Sequence, residues 1–231
     1  MRIYTDATRL LGIDLPVLLR GSAPAAAAAS EAGGFGIVVA GQDLDAMLAA
    51  IDETRAATSR PFGVVVAQVT DAALDALLAS PVAALVTCGG GNRLSARIRA
   101  AGKRHLHEAN AADTDDHDVD ALLVSLEGWR PVHARLHARL PLVATGVGSG
   151  AMLAAAMALG AAAGEVDPLP GEHAADTVQR VVAEYAACVH ALPSLSQGPA
   201  RSPDRTAREA AALRENLRRR KDQMRARSDI P

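Results

Sequence analysis

The chain has 231 residues, 49% of them hydrophobic and only 2% aromatic, with a formal net charge of −2. That length supports one sizeable core plus an appendage, and the scarcity of aromatic side chains argues against a stacking platform for single-stranded nucleic acid. Charge is unevenly spread: from Ala200 onward ten Lys and Arg face five acids, which leaves −7 on the body and argues against nucleic acid as the body's partner.

The opening segment, Met1–Arg20, lacks the charged-then-apolar pattern of a signal peptide, and no window approaches the ~18 uninterrupted apolar residues of a membrane span. Two cysteines, Cys88 and Cys188, are far apart and outside any metal-ligand spacing. The expectation is a soluble cytoplasmic protein without a structural metal or a membrane partner.

Short apolar runs then recur at a nearly fixed interval: Leu15–Arg20, Phe35–Val39, Phe62–Val66, Ala83–Thr87, Arg104–His107, Ala121–Ser125, Pro141–Thr145 and Ala162–Val166. Helical runs separate most of them, at Ala25–Ala32, Leu44–Thr58, Ala72–Leu78, Leu94–Ala101, Val132–Arg139 and Ala151–Leu159, and Ala174–Ala191 follows the last. Asp43, Thr70 and Ser149 are placed to cap N-termini, and Gly102 and Gly160 to end helices. Eight strand-and-helix units about 20 residues long predict parallel strands with helical crossovers, hence a closed (β/α)8 TIM barrel. An open doubly wound sheet is the competitor, but its first turn normally carries GxGxxG, and here the turn reads Arg20-Gly-Ser-Ala-Pro24.

The barrel is expected over residues 1–193. Beyond it, 194–231 reads as a Pro/Gly linker followed by a basic helical extension in which Ala210, Leu213, Leu217 and Met224 keep helical spacing. A solvated or disordered tail, self-association and docking to an acidic protein partner all remain open for that segment.

Side chains alternate along a strand, so face can be read from sequence if the helix-facing set is apolar. That rule turns Arg20, His107, Ser125, Glu127, Thr145, Glu165 and Asp167 toward the mouth at the C-terminal strand ends, an acid/base set. Arg20 and Asp167 lie on neighbouring strands of a closed barrel, either as a structural ion pair or as part of a reactive site. Cys88, ahead of three glycines and a helix, has its thiolate favoured if that helix N-terminus is near. Trp129 is a further candidate for substrate contact. Asp115, Asp116, His117 and Asp118 read as a solvated acidic turn rather than as metal ligands.

Several stretches resemble the nitronate monooxygenase (2-nitropropane dioxygenase) family: Thr8–Val17, Ala27–Gly36 (AAASEAGGFG), Arg60–Val64 (RPFGV), Val119–Val124 and Pro141–Gly164. The resemblance implies a barrel binding FMN at the C-terminal strand ends, with oxidation of nitronates or reduction of enoyl thioesters. Departures from the family pattern fall on the positions that matter. Leu19-Arg20-Gly21-Ser22 replaces a Gln-Ala-Pro-Met type of segment, Val65 replaces an Asn, and Ser125–Pro131 keeps Glu127 and Gly128 but lacks the family's catalytic histidine. Asp167-Pro168 stands where a Gly-Thr pair would hold the phosphate. Pro168 removes an N–H donor and Asp167 brings a like charge. The expectation is therefore a small-molecule enzyme that works without a cofactor, using Glu165, Asp167, His107 and Glu127 for proton transfer on an apolar carbonyl compound, with Arg20, Ser125, Thr145, Trp129 and Cys88 contacting it. The alternatives are an FMN-dependent oxidoreductase whose phosphate is held by Gly146, Gly148 and Gly150, and an inactive barrel that binds a partner.

Overall fold

Eight parallel strands pair in sequence order and the last closes on the first. They are β1 (Val17–Gly21), β2 (Phe35–Val38), β3 (Phe62–Val66), β4 (Ala84–Cys88), β5 (Arg104–Ala109), β6 (Ala121–Ser125), β7 (Leu142–Val147) and β8 (Ala163–Val166). The helices among the described residues are α1 (Asp6–Leu11), α2 (Ala23–Glu31), α3 (Leu44–Ala57), α4 (Asp71–Ala79), α5 (Arg93–Ala100), α6 (Gly150–Ala158) and α7 (Ala174–Ser196). This computed structural model describes residues 2–67, 70–88, 93–109, 118–126, 128–129 and 140–196. The expected helix at Val132–Arg139, the acidic turn at 115–117, Glu127 and the tail beyond 196 lie outside them. The chain divides into a unit spanning Met1–Cys188 and a remainder, Val189–Pro231. No helix among the described residues is long and apolar enough to cross a membrane.

The barrel follows from local signals that agree with one another. Asp43 accepts the Ala46 N–H, Thr70 the Ala73 N–H and Ser149 the Met152 N–H, so α3, α4 and α6 start where their caps stand. Gly102 and Gly160 take positive φ after α5 and α6. One helix has no counterpart in the strand-and-helix count: α1, opened by a Thr5/Thr8 capping box. Its Ala7 and Leu11, with Ile13 behind it, join the apolar cluster of the barrel lumen and close the end from which the strands start.

That lumen cluster contains Leu18, Ile37, Val86, Leu106, Leu123, Val143 and Ala163, which come from seven different strands. The opposite strand faces pack outward on helices; Phe62, Val64 and Leu85 meet Ile51, Leu74 and Ile98, and Val17, Leu142 and Val166 meet Leu153, Val178 and Val181. Both faces of most strands are therefore largely apolar, as parallel barrels require.

The stretch Ala27–Gly36 is a packing joint. A Cβ on Gly36 would run into the backbone of Ala26, and Ser30 Oγ accepts the Gly36 N–H at 3.1 Å while donating to the Pro61 carbonyl at 3.0 Å. The glycine lets α2 lie against β2, and the serine ties both to the start of β3.

Candidate functional site

Arg20 reaches the lumen because it shares a face with Leu18, and Glu165 because it shares one with Ala163. Leu18 and Glu165 are register partners across the β1–β8 seam, so the guanidinium, two residues further along β1, leans over the carboxylate. Arg20 Nε stands 2.9 Å from Glu165 Oε1, close enough for an ion pair though off the line of a hydrogen bond. Its Nη1 donates to Glu108 Oε2 on β5 at 3.3 Å, which spans the ring, since β1 and β5 are four strands apart either way round. The same Glu108 oxygen accepts from Cys88 Sγ at 2.7 Å. One guanidinium thus bridges two carboxylates at the mouth.

Burial sets the electrostatics. Glu165 is only 9% exposed, and its carboxyl is pushed up by burial, which the charge of Arg20 opposes and those of Glu108 and Asp167 reinforce. Burial also raises Glu108, but the Cys88 thiol and the Arg20 guanidinium outweigh it and hold that carboxyl below its ordinary value. Environment thus separates two chemically identical groups: Glu108 stays ionised while Glu165 is displaced toward neutral pH. Cys88 is pushed up to about 11 by burial and by its hydrogen bond to Glu108. That reverses the expectation of a favoured thiolate; the adjacent glycines, 89–91, lie outside the described residues.

Beyond Arg20 Nε, which has the Glu165 ion pair but no hydrogen bond, two polar atoms in this network are left over. Arg20 Nη2 and Glu165 Oε2 are buried and have no hydrogen-bond partner among the described residues. An orphan buried donor or acceptor costs ~1–3 kcal/mol, so both are places for a ligand to satisfy. Ser125 and Thr145 are register partners at the ends of β6 and β7 and also face the lumen side; Ser125 Oγ accepts the Gly128 N–H at 3.2 Å. Asp167 lies just past β8 and is exposed. Arg20 pairs with Glu165 and Glu108, so the expected Arg20–Asp167 pair is replaced by one a turn of the pleat deeper.

Two further sequence expectations change. His107 faces the helices: it is in register with Thr87, and Thr87 Oγ1 lies 3.0 Å from its Nδ1 and 2.8 Å from His105 Nε2, while Ser95 on α5 lies 2.7 Å from His105 Nδ1. Leu106 is the lumen residue, and Glu108, two residues on along the same face, enters the mouth, where it meets Arg20. The helix-facing side of β5 is polar because Thr87 and Ser95 satisfy the imidazoles there. Trp129 is 4% exposed, belongs to the outer cluster and donates from Nε1 to the Leu159 carbonyl at 3.4 Å; it packs behind the barrel rather than lining the mouth.

Among the described residues no set of His, Cys, Asp and Glu side chains is arranged to hold a metal ion. For a flavin phosphate, the loops after β7 and β8 are the place to test. Gly146, at the end of β7, and Gly148, in the loop that follows, are exposed, and Gly150 opens α6. The Gly150 N–H, however, donates to Glu184 Oε2 at 2.7 Å, the Leu169 N–H donates to Glu172 Oε2 at 3.0 Å, and Pro168 has no N–H to offer. With these two N–H groups turned to carboxylates and a proline at 168, the donor set of these loops is poorly matched to a phosphate dianion.

The fold and the mouth define a (β/α)8 barrel with a charged, partly unsatisfied cluster at the C-terminal strand ends. A scan against protein-family models and a search of curated proteins give no match. Among solved structures, a point variant of FabK from Thermotoga maritima is 27% identical with a TM-score of 0.63, over 71% of this chain and 65% of that one. FabK itself from the same organism is 26% identical with a TM-score of 0.64, over 71% and 61%. Nitroalkane oxidase from Streptomyces ansochromogenes is 24% identical with a TM-score of 0.60, over 70% and 66%. The chain spans less than two thirds of the two FabK structures. It shares with these proteins the fold of nitronate-monooxygenase-like barrels.

Proposed function

We propose that this protein is a small-molecule enzyme of the barrel kind that moves a proton on a neutral, apolar carbonyl compound without FMN. The observation that supports it most is the pair of buried, unpartnered atoms, Arg20 Nη2 and Glu165 Oε2, at one mouth. A carbonyl oxygen accepts from Nη2, and a C–H next to that carbonyl faces Oε2. Glu165 takes the proton, the C–H electron pair becomes the C=C of an enolate, and the negative charge that develops on oxygen is held by the guanidinium. Return of the proton to another carbon gives an isomer; its delivery to a β-hydroxyl, which leaves as water, gives a dehydration.

The raised Glu165 carboxyl is suited to this, because a base titrating nearer the working pH is both available and strong. Glu108 stays ionised and fixes the guanidinium. Two carboxylates against a single guanidinium leave this cluster at −1, which favours a neutral substrate over an anion. Val39 past β2 and Leu169 past β8 are exposed apolar side chains at the same end of the strands, in keeping with an apolar substrate.

A second reading keeps FMN and an oxidoreductase reaction. It is favoured by the likeness to FabK and opposed by the donor set of the β7 and β8 loops. One absorbance spectrum of the purified protein, with and without added FMN, separates the two. Stoichiometric bound flavin supports the second reading and overturns the first. A colourless protein that fails to take up FMN, and catalyses solvent-deuterium exchange into neutral ketones in an Arg20- and Glu165-dependent manner, supports the first.

A further inference from the structure

We infer that the β7–β8 end of this barrel carries its own anion: the carboxylates of Glu172 and Glu184, joined through Arg180, stand in for a ligand phosphate and make these loops refuse phosphorylated ligands. The inference extends the reading that FMN is not used but does not rest on the proton transfer assigned to Arg20 and Glu165, because it concerns which ligands the end loops admit.

Barrels commonly bind phosphate with the loops after the last two strands, using free backbone N–H groups at a helix N-terminus and a cation. Here the first and third N–H groups of α6, the Leu169 N–H and a guanidinium are already used by the chain. The Gly150 N–H goes to Glu184 Oε2 at 2.7 Å, the Leu169 N–H to Glu172 Oε2 at 3.0 Å, and the Thr177 hydroxyl to the same oxygen at 2.9 Å. The Met152 N–H is taken by the Ser149 side chain. Arg180 is the basic group at hand, and all three of its nitrogens are engaged. Nε and Nη2 hold Glu172 at 2.8 and 3.0 Å in a two-pronged contact, and Nη1 holds Glu184 at 3.3 Å. The same Nη1 also touches the Gly148 carbonyl at 3.5 Å.

Geometry and charge agree on the consequence. A Cβ on Gly150 would collide with the backbone of α7 at Val181 and Tyr185, so the first turn of α6 lies directly on α7 with no space for a ligand on that side. Two carboxylates around one guanidinium leave a net −1, and the exposed Asp167 on the neighbouring loop adds to it. The pair with Arg180, helped by the Leu169 N–H, holds Glu172 down to about 2, so Glu172 keeps its charge across the physiological range.

Inorganic phosphate and FMN, titrated separately into the full chain by calorimetry, test this. Neither is expected to give saturable binding to the native protein at millimolar concentration. Glu184→Ala frees the Gly150 N–H and one side of Arg180, so it is expected to bind phosphate about tenfold or more tighter than the native chain. Glu184→Gln, which keeps the hydrogen bond and removes only the charge, is expected to gain less, and it stands in if the alanine variant does not fold. Native protein that binds phosphate or FMN at stoichiometric levels overturns the inference. So does a folded Glu184→Ala, or in its place a folded Glu184→Gln, that binds phosphate no better than the native chain. Loss of turnover in Arg20 or Glu165 variants tests the reaction and leaves this result untouched.

Discussion

Replacing Arg20 by methionine removes the cation that, among the described residues, lies between Glu165 and Glu108, while keeping most of the side-chain volume. Glu165 is 9% exposed and cannot rehydrate, so it either remains charged in an apolar lumen or takes up a proton. Proton uptake caps the cost: at pH 7 it is ~1.4 kcal/mol per unit over the ~2.7 units above an ordinary glutamate, about 3.7 kcal/mol. Glu108 has a side-chain exposure of 38% and stays hydrated, so its share is discounted to ~0–1 kcal/mol. Arg20→Met is therefore expected to lose about 2–4 kcal/mol of unfolding free energy at pH 7. In the variant the folded-state carboxyl of Glu165 lies above its unfolded value, so the folded protein binds the extra proton. The destabilisation is then absent below the unfolded value, near pH ~4.3, and complete above the folded one, and acidification to about pH 5 recovers most of the loss. Urea unfolding followed by the fluorescence of Trp129, the single tryptophan, measures both values. A loss below about 1 kcal/mol, or a loss that is equal at the two pH values or larger in acid, refutes a buried charge cluster at the mouth.

Glu165→Gln is expected to lower proton-exchange turnover by about 100-fold or more while leaving the protein folded. The native pH profile should have its acid limb above the ordinary glutamate range, because burial raises that carboxyl; a limb at or below that range counts against Glu165 as the base. Cys88, pushed from 9.0 to about 11, has ~100-fold less thiolate at mildly alkaline pH, of which a higher intrinsic nucleophilicity returns about tenfold. It should alkylate roughly tenfold more slowly than an unperturbed cysteine, and Glu108→Gln should speed it up; an equal or faster native rate refutes the assignment. Gly36→Ala places a methyl group in the Ala26 backbone and is expected to cost about 3 kcal/mol or more of stability by forcing α2 off the barrel, read as a fall in urea midpoint; an unchanged midpoint contradicts that close approach.

Much of the barrel was legible because its signals are local. Strand spacing, the caps at Asp43, Thr70 and Ser149, and the glycines at 102 and 160 depend on residues within one turn or one connection of each other. Parity along a strand placed Arg20 and Glu165 correctly for the same reason: each has an apolar neighbour two residues back that faces the lumen. The same reasoning fails on β5, where it turns the apolar Leu106, between two histidines, toward the helices. Barrel strands are commonly apolar on both faces, so Leu106 fits either, and the decision fell to Thr87 and Ser95, which hydrogen-bond the histidines from behind.

What the sequence determined by itself was the period, and hence the barrel, together with the positions at which polar side chains interrupt apolar strands. Which of those groups meet was decided only by closure of the ring and by the seating of α7 on α6. Arg20 and Glu108 are 88 residues apart and Gly150 and Glu184 are 34 apart. No local pattern encodes such pairs, because a charge in a strand or a carboxylate on a helix has the same local propensity whether it faces water, a guanidinium or a backbone N–H. Only the packed structure chooses the partner, and with it the pKa and the chemistry.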